Sequence, residues 1–215
     1  MRWLICSIGA LALVSACGTR QPVTTASAPP PKAADRTQPP YPPRGAPAGF
    51  KVPPKGADGR YVTPNSNIGP LESLFSVRGA FNVAALGCTS LSGAAVRDDY
   101  NALLKKHKSL LNRANSAIDA KYRREHGSAG LRVRDQALTR LYNHYSQPSV
   151  KREFCGKTRQ YLTAALAQSS SEFEKAAIGM LTDIESDFQA FFAEYENYEK
   201  RLADWQRQYG TIASR

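Results

Sequence analysis

From Phe173 to Tyr209 the apolar residues recur at steps of three and four: Phe173, Ala177, Met180, Ile184, Phe188, Phe191, Tyr195, Tyr198, Leu202, Trp205 and Tyr209. The mean step is about 3.6 residues, the period of an α-helix, so this stretch is one straight amphipathic helix. At 1.5 Å per residue it is roughly 55 Å long. Ser171 and Glu174 form an S-x-x-E capping box at its start, and Gly210 is a suitable stop. Such a helix cannot bury its stripe alone, and it demands long helical neighbours.

The sequence from Pro70 onward supplies them. Pro70 suits a first helical turn, and Leu71, Leu74, Phe75, Phe81, Ala85 and Leu86 follow at helical spacing up to Gly87 and Cys88. A loop over 89–93 leads to a second long helix over about 94–124, with Val96, Tyr100, Leu103, Leu104, Leu110, Leu111, Ala114 and Ile118 on its apolar face. Gly127-Ser128-Ala129-Gly130 breaks it. A third helix carries Leu131, Leu138, Leu141, Tyr142 and Tyr145 and stops at Pro148, and a fourth carries Val150, Phe154, Cys155, Tyr161, Leu162 and Leu166 before Ser169-Ser170-Ser171. No run with strand period appears. The expected fold is therefore all-α: an elongated antiparallel bundle of about five helices over residues 70–215, enough chain for one core and one domain.

Residues 18–69 belong to another composition. Thirteen of the fourteen prolines fall between Pro22 and Pro70, and the apolar residues are few and without period. Such a segment cannot bury enough surface to offset its ordering entropy, and it reads as a disordered, extended Pro-rich linker. At about 3.1 Å per residue it would reach on the order of 100 Å or more. Its charge is basic: Arg20, Lys32, Arg36, Arg44, Lys51, Lys55 and Arg60 against Asp35 and Asp58. It is either a plain spacer or a tether suited to an anionic cell-wall mesh.

Before it stands a leader: one positive charge at Arg2, then a short apolar run from Leu4 to Leu13. That is the form of a secretory signal, and the run falls short of the about 20 apolar residues a spanning helix needs. It ends in Val14-Ser15-Ala16-Cys17, a branched apolar residue, two small ones and a cysteine. This resembles the lipobox of bacterial lipoproteins, and the chain as a whole resembles the small outer-membrane lipoproteins of Gram-negative bacteria. The resemblance covers the first 17 residues. It implies removal of 1–16, a diacylglycerol thioether on Cys17, a third chain on its amine, and a membrane anchor through lipid, since two or more chains hold stably. Gly18 in place of Asp implies the outer membrane, facing the periplasm. The mature chain then divides into an acylated tether, 17–69, and the bundle, 70–215.

Of the four cysteines, Cys6 lies in the leader and Cys17 takes the lipid, which leaves Cys88 and Cys155. An even pair in an oxidising compartment reads as one disulfide, with two free thiols as the alternative. A bridge requires α-carbons about 4.4–6.8 Å apart, so the end of the first helix must meet the start of the fourth. The third helix looks shorter than the second, which leaves that meeting hard to arrange. Two cysteines are too few for structural zinc, and no histidine stands at ligand spacing; neither metal nor cofactor is expected.

The formal charge is +11, unevenly placed. Residues 97–159 hold fifteen Lys and Arg against six acids, and 160–215 hold five against nine. The simplest account is an acidic last helix lying beside basic ones. The functional account is a basic surface from Lys105, Lys106, Lys108, Arg123, Arg124, Arg132, Arg134, Lys151 and Arg152, which would attract anionic polymers or lipid head groups. Nucleic acid suits the charge but not an exported protein, and none is expected as a partner.

Catalytic patterns are missing from the sequence. His107, His126 and His144 form no H-x-x-x-H or H-E-x-x-H pair. His107 lies on an apolar face and reads as a structural histidine, while His126 and His144 read as solvated. Asp183 with Asp187, and Glu194 with Glu196, lie among other carboxylates on one polar helix face, unlike the facing pair a glycosidase needs. Neither G-x-S-x-G nor G-x-x-x-x-G-K-[ST] occurs, although a serine nucleophile with a distant base leaves no sequence trace. Adjacent Phe191 and Phe192 lie about 100° apart on a helix, so one core does not easily take both. Tyr198, Trp205 and Tyr209 would form a partly open aromatic stripe, a common binding anchor, if the helix outruns its neighbours. The sequence thus points to a non-enzymatic envelope protein that binds a partner protein or anionic cell-wall polymer through Tyr198, Trp205, Tyr209, Arg123, Arg124, Arg132 and Arg134. The alternative is a cell-wall hydrolase with an unrecognised site.

Overall fold

A computed structural model describes residues 38–88 and 93–209. The leader, Cys17 and the tether up to residue 37 lie outside the described residues. Helix α1 spans Pro70–Gly87, α2 Gly93–Lys106, α3 Lys108–His126, α4 Gly130–Tyr145, α5 Lys151–Ala167 and α6 Ser170–Tyr209. The chain is all-α, as the periodicity requires. Among the described residues the only β pairing is one antiparallel bridge, Lys55 with Tyr61. No described helix is long and apolar enough to cross a membrane.

The expected second helix is two. His107 breaks it, with φ −105° and ψ 21° at the junction. The side chain explains the break, because its ring is buried and turned against the end of α5. Nε2 lies 3.0 Å from the Ala165 carbonyl and donates to it, so Nδ1 is the acceptor for the Ser170 hydroxyl at 2.9 Å. Lys106 Nζ donates to the next carbonyl, Leu166. Two side chains at the end of α2 thus cap carbonyls in the last turn of α5, where Ala165 otherwise accepts only a long bond, 3.3 Å, from Gln168 N–H. The structural reading of His107 holds, and it does more than fill space.

This break also removes the length mismatch around the disulfide. α3 and α4, at 19 and 16 residues, form a hairpin of nearly equal arms, and α2 is free to run beside α5. Arg78 of α1 faces both the end of α2 at Leu104 and the start of α3 at Leu111. Gly79 is close-packed under Leu141 and Tyr142 of α4. The hairpin thereby folds back across the middle of α1, and α5 starts level with its end. Cys88 and Cys155 are joined there, with α-carbons 5.7 Å apart.

The cap of α6 lies two residues before the expected one. Ser169 and Glu172 make the reciprocal pair, Ser169 N–H donating to Glu172 Oε2 at 2.8 Å and Glu172 N–H to Ser169 Oγ at 3.3 Å. Glu174, the acid of the expected box, instead pairs with Arg113 of α3. The α6 stripe is buried from Phe173 through Tyr198, which is the central packing surface of the fold.

The larger correction concerns the tether. Residues 38–69 are not a free spacer: they lie as a strap along α6. Phe50 inserts its ring among Phe191, Phe192 and Tyr195, with centroids 5.1, 6.1 and 5.2 Å away. Tyr61 packs edge-on to Phe192 at 5.5 Å. The adjacent phenylalanines are both buried because the strap covers what the helices leave open: Phe50 lies against both, and Tyr61 against Phe192. Side chains of α6 also satisfy the strap backbone. Gln189 bonds Tyr61 N–H and C=O, each at 2.8 Å, and the Tyr195 hydroxyl accepts from Phe50 N–H and donates to Pro47 C=O, each at 3.0 Å. A few well-spaced anchors suffice here because prolines limit the freedom of the unfolded segment.

Candidate functional site

Two places gather polar side chains that the fold itself does not fully use. The first lies where the strap meets α4 and α6. A turn at 64–67 presents Asn65, the last turn of α4 presents His144 and Tyr145, and the middle of α6 presents Glu185. Asn65 Nδ2 donates to Glu185 Oε1 at 2.6 Å and to the Tyr145 hydroxyl at 2.9 Å. His144 Nε2 lies 2.9 Å from the same Oε1. The side chains of His144 and Glu185 are only 9% and 6% exposed, so the expectation of a solvated His144 was wrong. Its ring lies 4.0 Å, centroid to centroid, from Phe188, a neighbour one cannot see from the polar residues around it in sequence.

Burial pushes the Glu185 carboxyl up, but the hydrogen bond and charge of His144, with Asn65 and Thr63, more than compensate and hold it below its ordinary value. Burial, together with the Glu185 charge, keeps the Tyr145 phenol well above its ordinary value against hydrogen bonds with Asn65 and Ser76. Glu185 is therefore an ionised acceptor and Tyr145 a neutral phenol. Among the described residues no hydroxyl or thiol bonds to His144, so the pair lacks the nucleophile that a hydrolytic triad requires. A carboxylate with a lowered pKa is likewise a poor general acid.

The second place is a groove of about 450 Å³ beside the break at His107. Arg78, Lys105 and Lys108 converge there from α1, α2 and α3, with the amides of Asn112 and Asn115, and no carboxylate lines it. Arg78 Nε is buried without a partner. Lys105 and Lys108 are exposed, and neither they nor Arg78 pairs with a carboxylate among the described residues. Three cations drawn together around unshared donors make a place for an anion.

The acids of α6 do pair with bases, as the simplest account of the charge asymmetry expects. The partners are partly new: Arg44 and Lys55 of the strap hold Glu194 and Glu196, at 2.6 and 2.8 Å, while Lys157 of α5 holds Asp183 and Asp187, each at 3.2 Å. Arg113 and Lys121 of α3 likewise hold Glu174 and Glu72, which leaves Lys105, Lys108, Arg123, Arg124 and Arg132 without an acid among the described residues. Arg123, Arg124 and Arg132 are exposed around the α3–α4 turn. Arg134 is not part of that surface: its side chain is 19% exposed, with Nε 2.6 Å from Asp119. Tyr198 is not a contact residue either, since it is buried edge-on to Tyr195 at 5.2 Å. Trp205 and Tyr209 are half-buried neighbours at 6.0 Å. Among the described residues no three His, Cys, Asp or Glu side chains come together to hold a metal.

The groove residues Arg78, Asn112 and Asn115 were absent from the sequence-derived set because they come from different helices, and no spacing links α1 to α3. In comparison with known proteins, no family model, no curated protein and no solved structure matches the chain.

Proposed function

We propose that the mature protein is a lipid-anchored component of the cell envelope, held through Cys17 at the periplasmic face of the outer membrane, which binds an anionic cell-wall polymer without chemically altering it. The supporting observation is the groove of Arg78, Lys105 and Lys108, in which cations and amide donors converge with no carboxylate to answer them. Exposed Arg123, Arg124 and Arg132 extend the positive surface along the α3–α4 hairpin, a layout suited to a chain of charges more than to one small ion. The 17–37 tether would set how far the bundle reaches from the membrane. A partner-protein reading would instead engage Trp205 and Tyr209, where the indole N–H is buried without an acceptor.

The test is co-sedimentation of the protein with purified cell-wall sacculi at rising salt. Wild type should pellet at low ionic strength and be released as salt approaches about 0.5 M, where screening confines charge interactions to a few ångströms. Lys105→Glu/Lys108→Glu should stay in solution throughout. Equal pelleting of the double variant, or no pelleting of wild type at low salt, would remove the proposal.

A further inference from the structure

α6 outruns the helices beside it. Arg44 lies 2.6 Å from Glu194 of α6 and 3.9 Å from Glu153 in the first turn of α5, while Lys157, one turn further into α5, holds Asp183 and Asp187. The two helices therefore run antiparallel, and α5 starts level with Glu194. α1 ends beside that start, at the disulfide. Residues 197–209 extend past it by roughly 20 Å. Among the described residues, every side-chain hydrogen bond and ion pair beyond Tyr198 stays within α6 itself. Yet the apolar stripe continues there through Leu202, Trp205 and Tyr209, each half-buried between exposed positions. The indole nitrogen of Trp205 is hidden from solvent and has no acceptor among the described residues. A hidden donor without a partner is costly, and native proteins rarely keep one. The stripe calls for a segment that is apolar and rich in acceptors.

The strap leads to that segment. Followed upstream, it meets α6 at Glu185 through Asn65, at Gln189 through Tyr61 and at Glu196 through Lys55, and Arg44 is still at Glu194. The chain thus enters the described structure beside the point where the overhang begins, with residues 18–37 just upstream. At about 3.1 Å per residue, Pro31 can lie about 40 Å from Arg44, and Trp205 is only roughly 16 Å beyond Glu194. The chemistry matches. Proline carries a carbonyl and no N–H, so a run of prolines offers acceptors alone, which is what the indole lacks. Such a run is already extended, and it docks on aromatic side chains at low ordering cost. Pro29-Pro30-Pro31 makes one full turn of that helix. Lys32 and Arg36 follow it, and the overhang carries Glu199, exposed and unpaired among the described residues. The strap already docks in this way, with Arg44 and Lys55 on the acids of α6 and Phe50 on its rings. We infer that Pro29-Pro30-Pro31 docks on Trp205 and Tyr209 of its own chain, a proline carbonyl accepting from the indole N–H. The strap is then the inner part of a longer docked segment, and the free tether shrinks from 18–37, roughly 60 Å at full reach, to 18–28, roughly 35 Å. Only this consequence for reach rests on the anchor at Cys17, and nothing here rests on the basic groove.

Trp3 lies in the leader, so the mature chain has one tryptophan and one indole N–H signal. The experiment follows that signal by NMR in the chain from residue 17 onward, with Cys17→Ser to keep it free of lipid. Deletion of 18–37 should speed hydrogen exchange of the indole N–H by about tenfold or more, as a protected donor opens to water. Pro29→Gly/Pro30→Gly/Pro31→Gly should do the same at full length, and the melting temperature should change little in either. Deletion of 210–215 should leave the exchange as it was. Unchanged exchange after deletion of 18–37, no effect of the triple glycine variant, or equal acceleration after deletion of 210–215 would overturn the inference, the last making the C-terminal residues the cover. Because this protein carries no lipid, failure of the Cys17 anchor in cells would show separately, as release of the wild-type chain from membranes.

Discussion

His144 Nε2 lies 2.9 Å from Glu185 Oε1, and the strap residue Asn65 donates to the same oxygen. One carboxylate thus ties together α4, α6 and the segment that leads in from the tether. Breaking a buried pair by removing one member leaves a charge without its partner. His144→Ala should therefore lower the unfolding free energy by roughly 3 kcal/mol, and strap amides around Tyr61 should exchange faster than those of α6. Denaturant unfolding with hydrogen exchange checks both, and a change under a few tenths of a kcal/mol would make the cluster incidental.

The pH dependence follows from two carboxylates. Lys200, Lys55 and Tyr61 hold Glu196 down to about 2, and Glu185 is also held below the ordinary 4.5. Groups with lowered folded values contribute fully above their unfolded values, and that contribution fades as pH falls through the folded ones. Strap docking should loosen progressively below about 4.5, before α6 itself melts. Tyr145 acts in the opposite direction: its raised value makes its contribution complete below the ordinary 10 and lost as pH climbs beyond it. Near-UV circular dichroism against pH, which reads the packed Phe50 and Tyr61, is the measurement.

Reduction of Cys88–Cys155 opens a loop with 67 residues of sequence separation. The loop-entropy estimate for a closure of this size is about 4 kcal/mol. Reduced protein, or Cys88→Ala/Cys155→Ala, should melt at lower temperature yet keep its far-UV helical signal at 25 °C. Two thiols titrating in protein taken from an oxidising envelope would show that the bridge does not form in the cell.

Gly130 opens α4 against the end of α3. A Cβ there would sit 2.6 Å from the Tyr122 carbonyl oxygen and 2.8 Å from the Arg123 α-carbon. Both are backbone atoms, which cannot swing aside. Gly130→Ala should destabilise by about 1–3 kcal/mol, the usual range for overpacking, even though alanine is the better helix former. Gly127 has φ +56° with nothing near its Cβ position, so its alanine variant reports conformational strain alone.

The helical face of α6 was legible because eleven residues keep one period without interruption. The cysteine pair was legible from compartment and arithmetic. What failed did so for local reasons. His107 breaks a helix whose apolar residues stay in register on both sides, so periodicity is blind to it. Ser169 and Ser171 each have an acid three residues on, and only the docking of Ser170 on His107 and of Glu174 on Arg113 chooses between the two boxes. The strap hides in a proline-rich composition, because its order comes from α6 and not from its own burial. The one available signal was the adjacency of Phe191 and Phe192, which a single core could not absorb and a covering segment could. His144 and Glu185 are 41 residues apart, and no spacing rule reaches that far.

The central claim is that Lys108 and its neighbours face an anionic polymer in the envelope. In-cell photo-crosslinking from a photoreactive residue at position 108 tests this most directly, with position 51, exposed on the strap, as the comparison. The account requires that the probe at 108 capture a heterogeneous adduct that collapses when the cell-wall polymer is digested, and that the probe at 51 capture far less of it. A single discrete protein adduct from 108, resistant to that digestion, would contradict the account and place a protein in the groove instead.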